Sequence, residues 1–335
     1  MKARTWQVAR ASDGHYDPSC FRLAEHDVGA PGENQVLVET LYLSLDPTHL
    51  NWVKLIPELQ FLPIGLGDPM LGTNLGIVRA SGDPRFTPGQ VVMGTWAWAT
   101  LAIADTRFVG PALPPEEMSF EHQLTVLSHV GRAAAAGLIA IGGIKSADSV
   151  LVSGAAGATG SIAAQIAKAE GCRVVGIAGG PQKVRYLLDD LGLDGAIDYR
   201  AGDLMGQIAR QFPNGVDLYF DNVGGETLDA VLANMAVGCR IAICGAIAQY
   251  DAGAQSQFGG IKNLPMLIFR QARMEGYVAS QFGPETDARL ADRLITLYKS
   301  GQIKPRTHIL AFEEMPDKLG MLLTGENQGK LIARV

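Results

Sequence analysis

The run Gly154-Ala-Ala-Gly157-Ala-Thr-Gly160-Ser161 is the part of the sequence best suited to holding a ligand. It follows the apolar stretch Val150-Leu-Val-Ser153 and precedes Ile162-Ala-Ala-Gln-Ile-Ala-Lys-Ala, a segment of strong helix formers. Strand, glycine turn and helix therefore come in the order that brings backbone close to a pyrophosphate. The small residues Gly154, Ala156, Gly157, Ala158, Thr159 and Gly160 leave room, while the free N–H groups and dipole at the helix start favour negative charge. The plainer reading of the same glycines is close packing of helix on sheet. Four further strand–helix units downstream favour a dinucleotide.

Which dinucleotide is decided after the second strand, where an Asp or Glu would bind the adenosine ribose diol of NAD. Here Val174-Val-Gly-Ile-Ala-Gly-Gly180 ends in two glycines, Gly179 and Gly180, and continues Pro181-Gln-Lys183-Val-Arg185. A cation stands where the extra 2′-phosphate would sit, so NADP is expected rather than NAD. Otherwise Lys183 is one more solvated helix charge.

Other chemistries lack their residues. The four cysteines, Cys20, Cys172, Cys239 and Cys244, have no metal-ligand spacing, and His49, His122, His129 and His308 are scattered. No metal is expected. Ser153 and Ser161 flank the glycine turn without a nucleophile-elbow pattern. What remains is redox chemistry carried by a cofactor that the protein orients and polarises.

The elements that must position these residues follow from punctuation and period. Residues 1 to about 120 read as β-strands between Pro and Gly, as in Gln35-Val-Leu-Val-Glu39 and Gly89-Gln-Val-Val-Met-Gly94. From about Asp148 short apolar strands alternate with helical segments: Ser149 to Ser153, Arg173 to Ile177, Ala196 to Tyr199, Val216 to Phe220 and Arg240 to Cys244. Helices open near Ala158, Pro181, Gly202 and Glu226. Arg273 to Ser280 reads as a sixth strand, and Glu285 to Ser300 as a helix with Leu290, Leu294, Leu297 and Tyr298 at helical spacing. The fold class is α/β: a doubly wound parallel sheet over 126–300 and a β-rich domain over 1–125, to which 301–335 returns.

The composition sets outer limits. With 28 basic and 34 acidic residues in 335, net −6, the chain has no basic field for nucleic acid. At 47% apolar and 19% charged it is not a disordered chain. The longest apolar run, Ala133 to Ile144, is short of the roughly 20 residues of a membrane span. The N-terminus shows no signal-peptide pattern, so a reducing cytoplasm is expected, with neither membrane nor nucleic acid as partner.

On these strings the chain resembles the zinc-independent branch of the medium-chain dehydrogenase/reductase superfamily, which holds prostaglandin/leukotriene reductases, plant 2-alkenal double-bond reductases and bacterial curcumin reductases. Val152-Ser-Gly-Ala-Ala-Gly-Ala-Thr-Gly-Ser161 is similar to that family's nucleotide loop and Gly171-Cys-Arg-Val-Val-Gly-Ile-Ala-Gly-Gly180 to its second strand. Tyr219-Phe-Asp-Asn-Val-Gly-Gly-Glu226 is similar to its fourth-strand end. Ile243-Cys-Gly-Ala-Ile-Ala-Gln-Tyr250, Arg273-Met-Glu275, Gly325-Glu-Asn327-Gln-Gly-Lys330 and Leu43-Ser-Leu-Asp-Pro47 extend the likeness over nearly the whole chain, thinly between 50 and 120.

The resemblance implies a GroES-like β domain joined to a Rossmann domain in a homodimer, with NADPH reducing the carbon–carbon double bond of a small apolar α,β-unsaturated ketone or aldehyde. It places Gly179, Lys183 and Tyr199 at the adenosine phosphate end of the cofactor. Asn222, Gly245, Tyr250 and Asn327 fall at the ribose and nicotinamide end, with Tyr250 as the catalytic hydrogen-bond donor. Quinone reduction and non-catalytic NADPH binding stay open as alternatives.

The departures are specific. Asp46-Pro47 is followed by Thr48-His-Leu-Asn-Trp52 instead of the family's Tyr-Met-Arg-Gly, which predicts an altered substrate mouth. Phe269 stands for a tyrosine with a catalytic role in mammalian members, and Ala133 for a cofactor-contacting threonine. Ser44 stands where zinc alcohol dehydrogenases carry a ligand cysteine. Trp52, Phe61, Met70, Trp96, Trp98 and Phe258 are expected to line the substrate pocket.

Overall fold

The computed structural model describes residues 1–60, 62–251 and 260–335. Contacts divide the chain into two compact units, one of residues 1–124 with 307–335 and one of residues 125–306. Among the described residues no single helix is long and apolar enough to cross a membrane.

The first unit is built from β1 (Lys2–Val8), β2 (Phe21–Asp27), β3 (Gln35–Leu45), β4 (Leu71–Ser81), β5 (Val91–Ala97), β6 (Leu101–Asp105) and β7 (Val109–Pro111). β1 and β2 form an antiparallel pair, and β3 is the hub of the larger sheet, pairing β4 and β6. Its alternation buries Val36 and Val38 in one core cluster with Trp96, and Leu43 and Leu45 in another with Trp52, Met70 and Trp98. Two expectations are corrected here. Trp52, Met70, Trp96 and Trp98 are core residues, each under a tenth exposed, and do not form a pocket wall. The Thr48–Trp52 departure likewise rebuilds the core, since His49, Leu50 and Trp52 of helix Pro47–Trp52 are buried. Aromatic side chains carry the largest apolar area, so packing claims them first. Phe61 and Phe258 lie outside the described residues.

The second unit is a parallel sheet of β8 (Ser149–Val152), β9 (Arg173–Ala178), β10 (Gly195–Asp198), β11 (Val216–Asp221), β12 (Met235–Ile243) and β13 (Arg273–Gly276). The strand order is β10-β9-β8-β11-β12-β13. That is the doubly wound nucleotide-fold order, which reverses between β8 and β11 and opens a ligand crevice beyond the strand ends there. Helices Ala158–Ala169, Leu204–Gln211, Gly225–Leu232 and Pro284–Lys299 are in place. β12 begins five residues before its expected start, because Gly238 at φ +79° reads as a turn while the strand bulges past it and keeps pairing.

β14 (Thr307–Ala311) and β15 (Lys330–Arg334) rejoin the first sheet, β15 running antiparallel to β3. Their junction holds a buried ion pair. Lys330 Nζ lies 2.5 Å from Asp46 Oδ1 and 2.6 Å from the Leu45 carbonyl. The Ser44 hydroxyl donates to Asp46 Oδ2. The Asp46 N–H donates to His49 Nδ1 at 2.9 Å, so His49 carries its proton on Nε2 and donates to the Leu71 carbonyl at 3.0 Å. Burial pushes the Lys330 ammonium below the usual lysine range, and Asp46 pulls it back. Lys330→Met alone should therefore strand a buried carboxylate and lower stability by about 3–5 kcal/mol. Adding Asp46→Asn should recover most of the loss in denaturant titrations, and a double variant as unstable as the single one would refute the pairing.

Candidate active site

The glycine turn after β8 is shaped by one contact. A Cβ on Gly160 would fall 2.3 Å from the Gly154 carbonyl oxygen and 2.9 Å from Ala155 Cα, so helix Ala158–Ala169 sits directly on the turn. Gly154 reaches φ +57°, which a side chain resists, and its carbonyl accepts from Gly157 N–H at 2.9 Å. Ala156 is buried beneath the turn, while Gly157, Ala158 and Thr159 are half-buried. The first-turn N–H groups of Ala158, Thr159 and Gly160 have no acceptor within the helix. A side-chain-free backbone presenting donors fits a pyrophosphate.

At the end of β9, Tyr199 lies across Gly179. A Cβ there would be 2.7 Å from Tyr199 Cε1 and 2.9 Å from Arg200 Nε. Tyr199 is 47% exposed, so it does not plug the sheet. The Arg200 guanidinium stacks 5.7 Å from the Tyr199 ring centre. Lys183, in helix Pro181–Arg185, is held below the usual lysine range by burial and then by the nearby Arg200. Arg200 thus lies against Gly179 with the Lys183 ammonium close enough to feel its charge, and an anion would stabilise the two cations. Asp198 Oδ1 accepts from the Gly180 and Arg200 N–H groups at 2.8 and 3.0 Å, tying the two turns together.

At the point where strand order reverses, Ser153 and Asn222 are joined. The Asn222 N–H donates to Ser153 Oγ at 2.9 Å, and its side-chain amide donates to the Ser153 carbonyl at 2.7 Å. Ser153 Oγ donates in turn to Asp221 Oδ1 at 2.9 Å. That oxygen also accepts from the Tyr219 hydroxyl and from the Val223 and Gly224 N–H groups at 2.7, 2.9 and 3.0 Å. Asp221 is fully buried, and burial pushes its carboxyl up while these donors pull it back. Beyond β12, a Cβ on Gly245 would make only ordinary contact with Asn222 and Tyr250, so no steric demand fixes a glycine there. The Tyr250 hydroxyl accepts from the Ala246 N–H at 3.3 Å. Burial raises the phenol above its usual range, so it stays protonated at neutral pH.

Three residues stand apart from this group. Asn327 belongs to the first unit, where its buried amide donates to the Gly329 carbonyl at 3.0 Å. Phe269 is 73% exposed at the end of helix Met266–Phe269. The Ala133 carbonyl accepts from the Tyr277 hydroxyl at 2.7 Å. Among the described residues no group of three or more His, Cys, Asp or Glu side chains converges to hold a metal.

Sequence reasoning missed Arg200, Ser153 and Asp221. Arg200 had a signal, a second cation beside Tyr199. The other two act through backbone groups, which residue type does not advertise. Gly160→Ala should cost about 1–3 kcal/mol by overpacking and should also weaken NADPH binding. Thermal unfolding with and without NADPH reads both, and an unchanged variant would show that the helix start has room to shift.

Comparison with known proteins shows the family. Residues 4–111 match a family model described as the N-terminal domain of oxidoreductase, and residues 158–295 one described as zinc-binding dehydrogenase. The chain is 34% identical to prostaglandin reductase 1 of Rattus norvegicus over 338 residues, covering 100% of this chain and 99% of that protein. It is also 34% identical to the NADPH-dependent curcumin reductase of Escherichia coli (strain K12), with 100% and 97% covered. The crystal structure of CurA from Vibrio vulnificus in complex with NADPH superposes with a TM-score of 0.90 at 31% identity, covering 99% of each chain. With relatives at this identity along its entire length, the chain belongs to the zinc-independent branch of the medium-chain dehydrogenase/reductase superfamily and is an NADP-dependent oxidoreductase.

Proposed function

We propose that this protein reduces the carbon–carbon double bond of small apolar α,β-unsaturated ketones or aldehydes. The observation that carries this reading is the Tyr250 phenol at the strand ends, protonated, with its oxygen receiving the Ala246 N–H and its own proton without an acceptor among the described residues. The named activities of the prostaglandin and curcumin reductases support the substrate class.

In this reading the glycine turn holds the cofactor pyrophosphate, and Lys183, Tyr199 and Gly179 hold the 2′-phosphate end. Asn222, Gly245 and Tyr250 serve the ribose and nicotinamide end. Bound NADPH supplies the hydride that reaches the substrate β-carbon. The chain's own task is to receive the charge that moves to the carbonyl oxygen, and Tyr250 donates to that oxygen as it becomes an enolate. Solvent delivers the proton to the α-carbon. A homodimer is part of the same reading, supported by β13, an edge strand exposed along its length beside exposed Ile268 and Phe269. So is a cytoplasmic setting, which suits four free cysteines.

The test is NADPH consumption with enals, cyclic enones, quinones and no substrate. Turnover confined to quinones would replace the reading with quinone reduction, and none at all would leave a binding protein. Lys183→Ala should weaken NADPH binding by about 1.5–3 kcal/mol and NADH binding little. Equal losses for both cofactors would remove Lys183 from the phosphate site. Tyr250→Phe keeps the ring and loses the donor, so NADPH affinity should hold while kcat falls roughly a hundredfold. A kcat within about threefold of wild type, under 1 kcal/mol, would make Tyr250 packing only.

A further inference from the structure

The corner beyond β9 keeps two like charges together. The Lys183 ammonium is held below the usual lysine range by burial and then by the Arg200 guanidinium, and among the described residues no carboxylate offsets that repulsion at Lys183. Asp198, the acid whose charge bears on Arg200, spends its Oδ1 on the Gly180 and Arg200 N–H groups at 2.8 and 3.0 Å. Holding two cations near each other, one of them partly buried, costs free energy that a bound dianion recovers.

Of the two, Arg200 is the better placed to meet that dianion. Its Nε lies 2.9 Å from where a Cβ on Gly179 would stand, so the guanidinium rests against the glycine backbone at the end of β9. The ring centre of Tyr199 lies 5.7 Å from the guanidinium carbon, and the Tyr199 hydroxyl accepts from Nε at 3.4 Å. Asp198 fixes the backbone of Arg200 from the other side. A guanidinium is planar, always charged and shaped to bind phosphate through two parallel bonds, whereas an ammonium is a point charge that burial weakens. Contact with the ring also narrows the conformations that binding must freeze.

We propose that Arg200, braced on Tyr199, is the residue that chiefly distinguishes NADPH from NADH, its guanidinium taking the 2′-phosphate beside Gly179 while Lys183 supplies a second, weaker charge. The inference rests on the reading that the 2′-phosphate binds at this corner. It inverts the ranking that position in the sequence suggests, in which Lys183 comes first. A phosphate monoester carries nearly two negative charges at neutral pH, which matches the two cations. The hydroxyl that NADH offers at the same place leaves them facing each other.

The experiment measures dissociation constants for NADPH and NADH by fluorescence titration on wild type, Lys183→Ala, Arg200→Ala and Arg200→Lys. Adenosine 2′,5′-bisphosphate and AMP serve as competitors that carry and lack the 2′-phosphate. Arg200 is exposed, so the variants should fold, and unfolding midpoints check this. If Arg200→Ala does not fold, Arg200→Met keeps the stem over the ring and replaces it. Arg200→Ala should bind NADPH and the bisphosphate about a hundredfold more weakly, and Lys183→Ala about twentyfold. NADH and AMP should change by less than about twofold in both, a contrast that loss of a merely structural residue does not produce. Arg200→Lys should stay about tenfold weaker than wild type for NADPH, since the charge returns without the fork. A selective loss in Lys183→Ala with a smaller loss or none in Arg200→Ala overturns the inference alone. Equal effects on phosphorylated and unphosphorylated ligands in both variants remove the 2′-phosphate from this corner, and the inference falls with the reading beneath it.

Discussion

A single buried carboxylate oxygen governs the carboxyl end of the parallel sheet. Asp221 Oδ1 gathers the Ser153 and Tyr219 hydroxyls and the Val223 and Gly224 N–H groups. Ser153 follows β8 and opens the glycine turn, whereas Val223 and Gly224 lead from β11 into helix Gly225–Leu232. The two strands therefore end as one piece at the place where the doubly wound order reverses. Without that oxygen, four buried or half-buried donors would lose an acceptor together, each at a cost of about 1–3 kcal/mol. An anionic acceptor suits such convergence, because bonds to a charged group are roughly twice as strong as neutral ones.

The same device recurs one strand pair away. Asp198 at the end of β10 accepts from Gly180 and Arg200 N–H groups, so the turn after β9 is also backed by an aspartate on a neighbouring strand. In both places backbone donors engage the carboxylate. Beside Asp198 the guanidinium of Arg200 lies against Gly179, and its charge reaches the Lys183 ammonium. A chain of net charge −6 can in this way present a positive corner to a phosphate.

Legibility in the sequence followed the range of the interactions. The glycine turn, the double glycine before Pro181 and the strand–helix alternation are local, and they were readable because steric freedom and apolar period are properties of a few adjacent residues. The start of β12 was hidden because Gly238 carries a turn's backbone angle inside a continuing strand. Trp52, Trp96 and Trp98 were misplaced because an aromatic side chain looks alike in a core and in a pocket wall until its neighbours are known. The Lys330–Asp46 contact spans 284 residues, and no local pattern predicts which lysine a buried aspartate will meet. Asn222 was legible as a type of residue at a strand end, but its double tie to Ser153 required the fold.

Ala133 and Phe269, which the family resemblance sets against a threonine and a tyrosine, sharpen the reading of Tyr250. Tyr277 brings a phenol to the Ala133 backbone but commits its proton to that carbonyl, in a space open only because residue 137 is glycine, where a Cβ would fall 2.2 Å from the Tyr277 oxygen. Phe269 offers no proton and faces outward. Tyr250 differs from both, since its oxygen accepts the Ala246 N–H, and a donor bond into a phenol oxygen polarises the O–H that remains. Burial raises the phenol above its usual range, so that proton stays on the oxygen at neutral pH. A group that donates strongly without ionising suits an oxygen that gains charge during reaction and must release it afterwards, and among the phenols described at these strand ends Tyr250 alone combines the two properties.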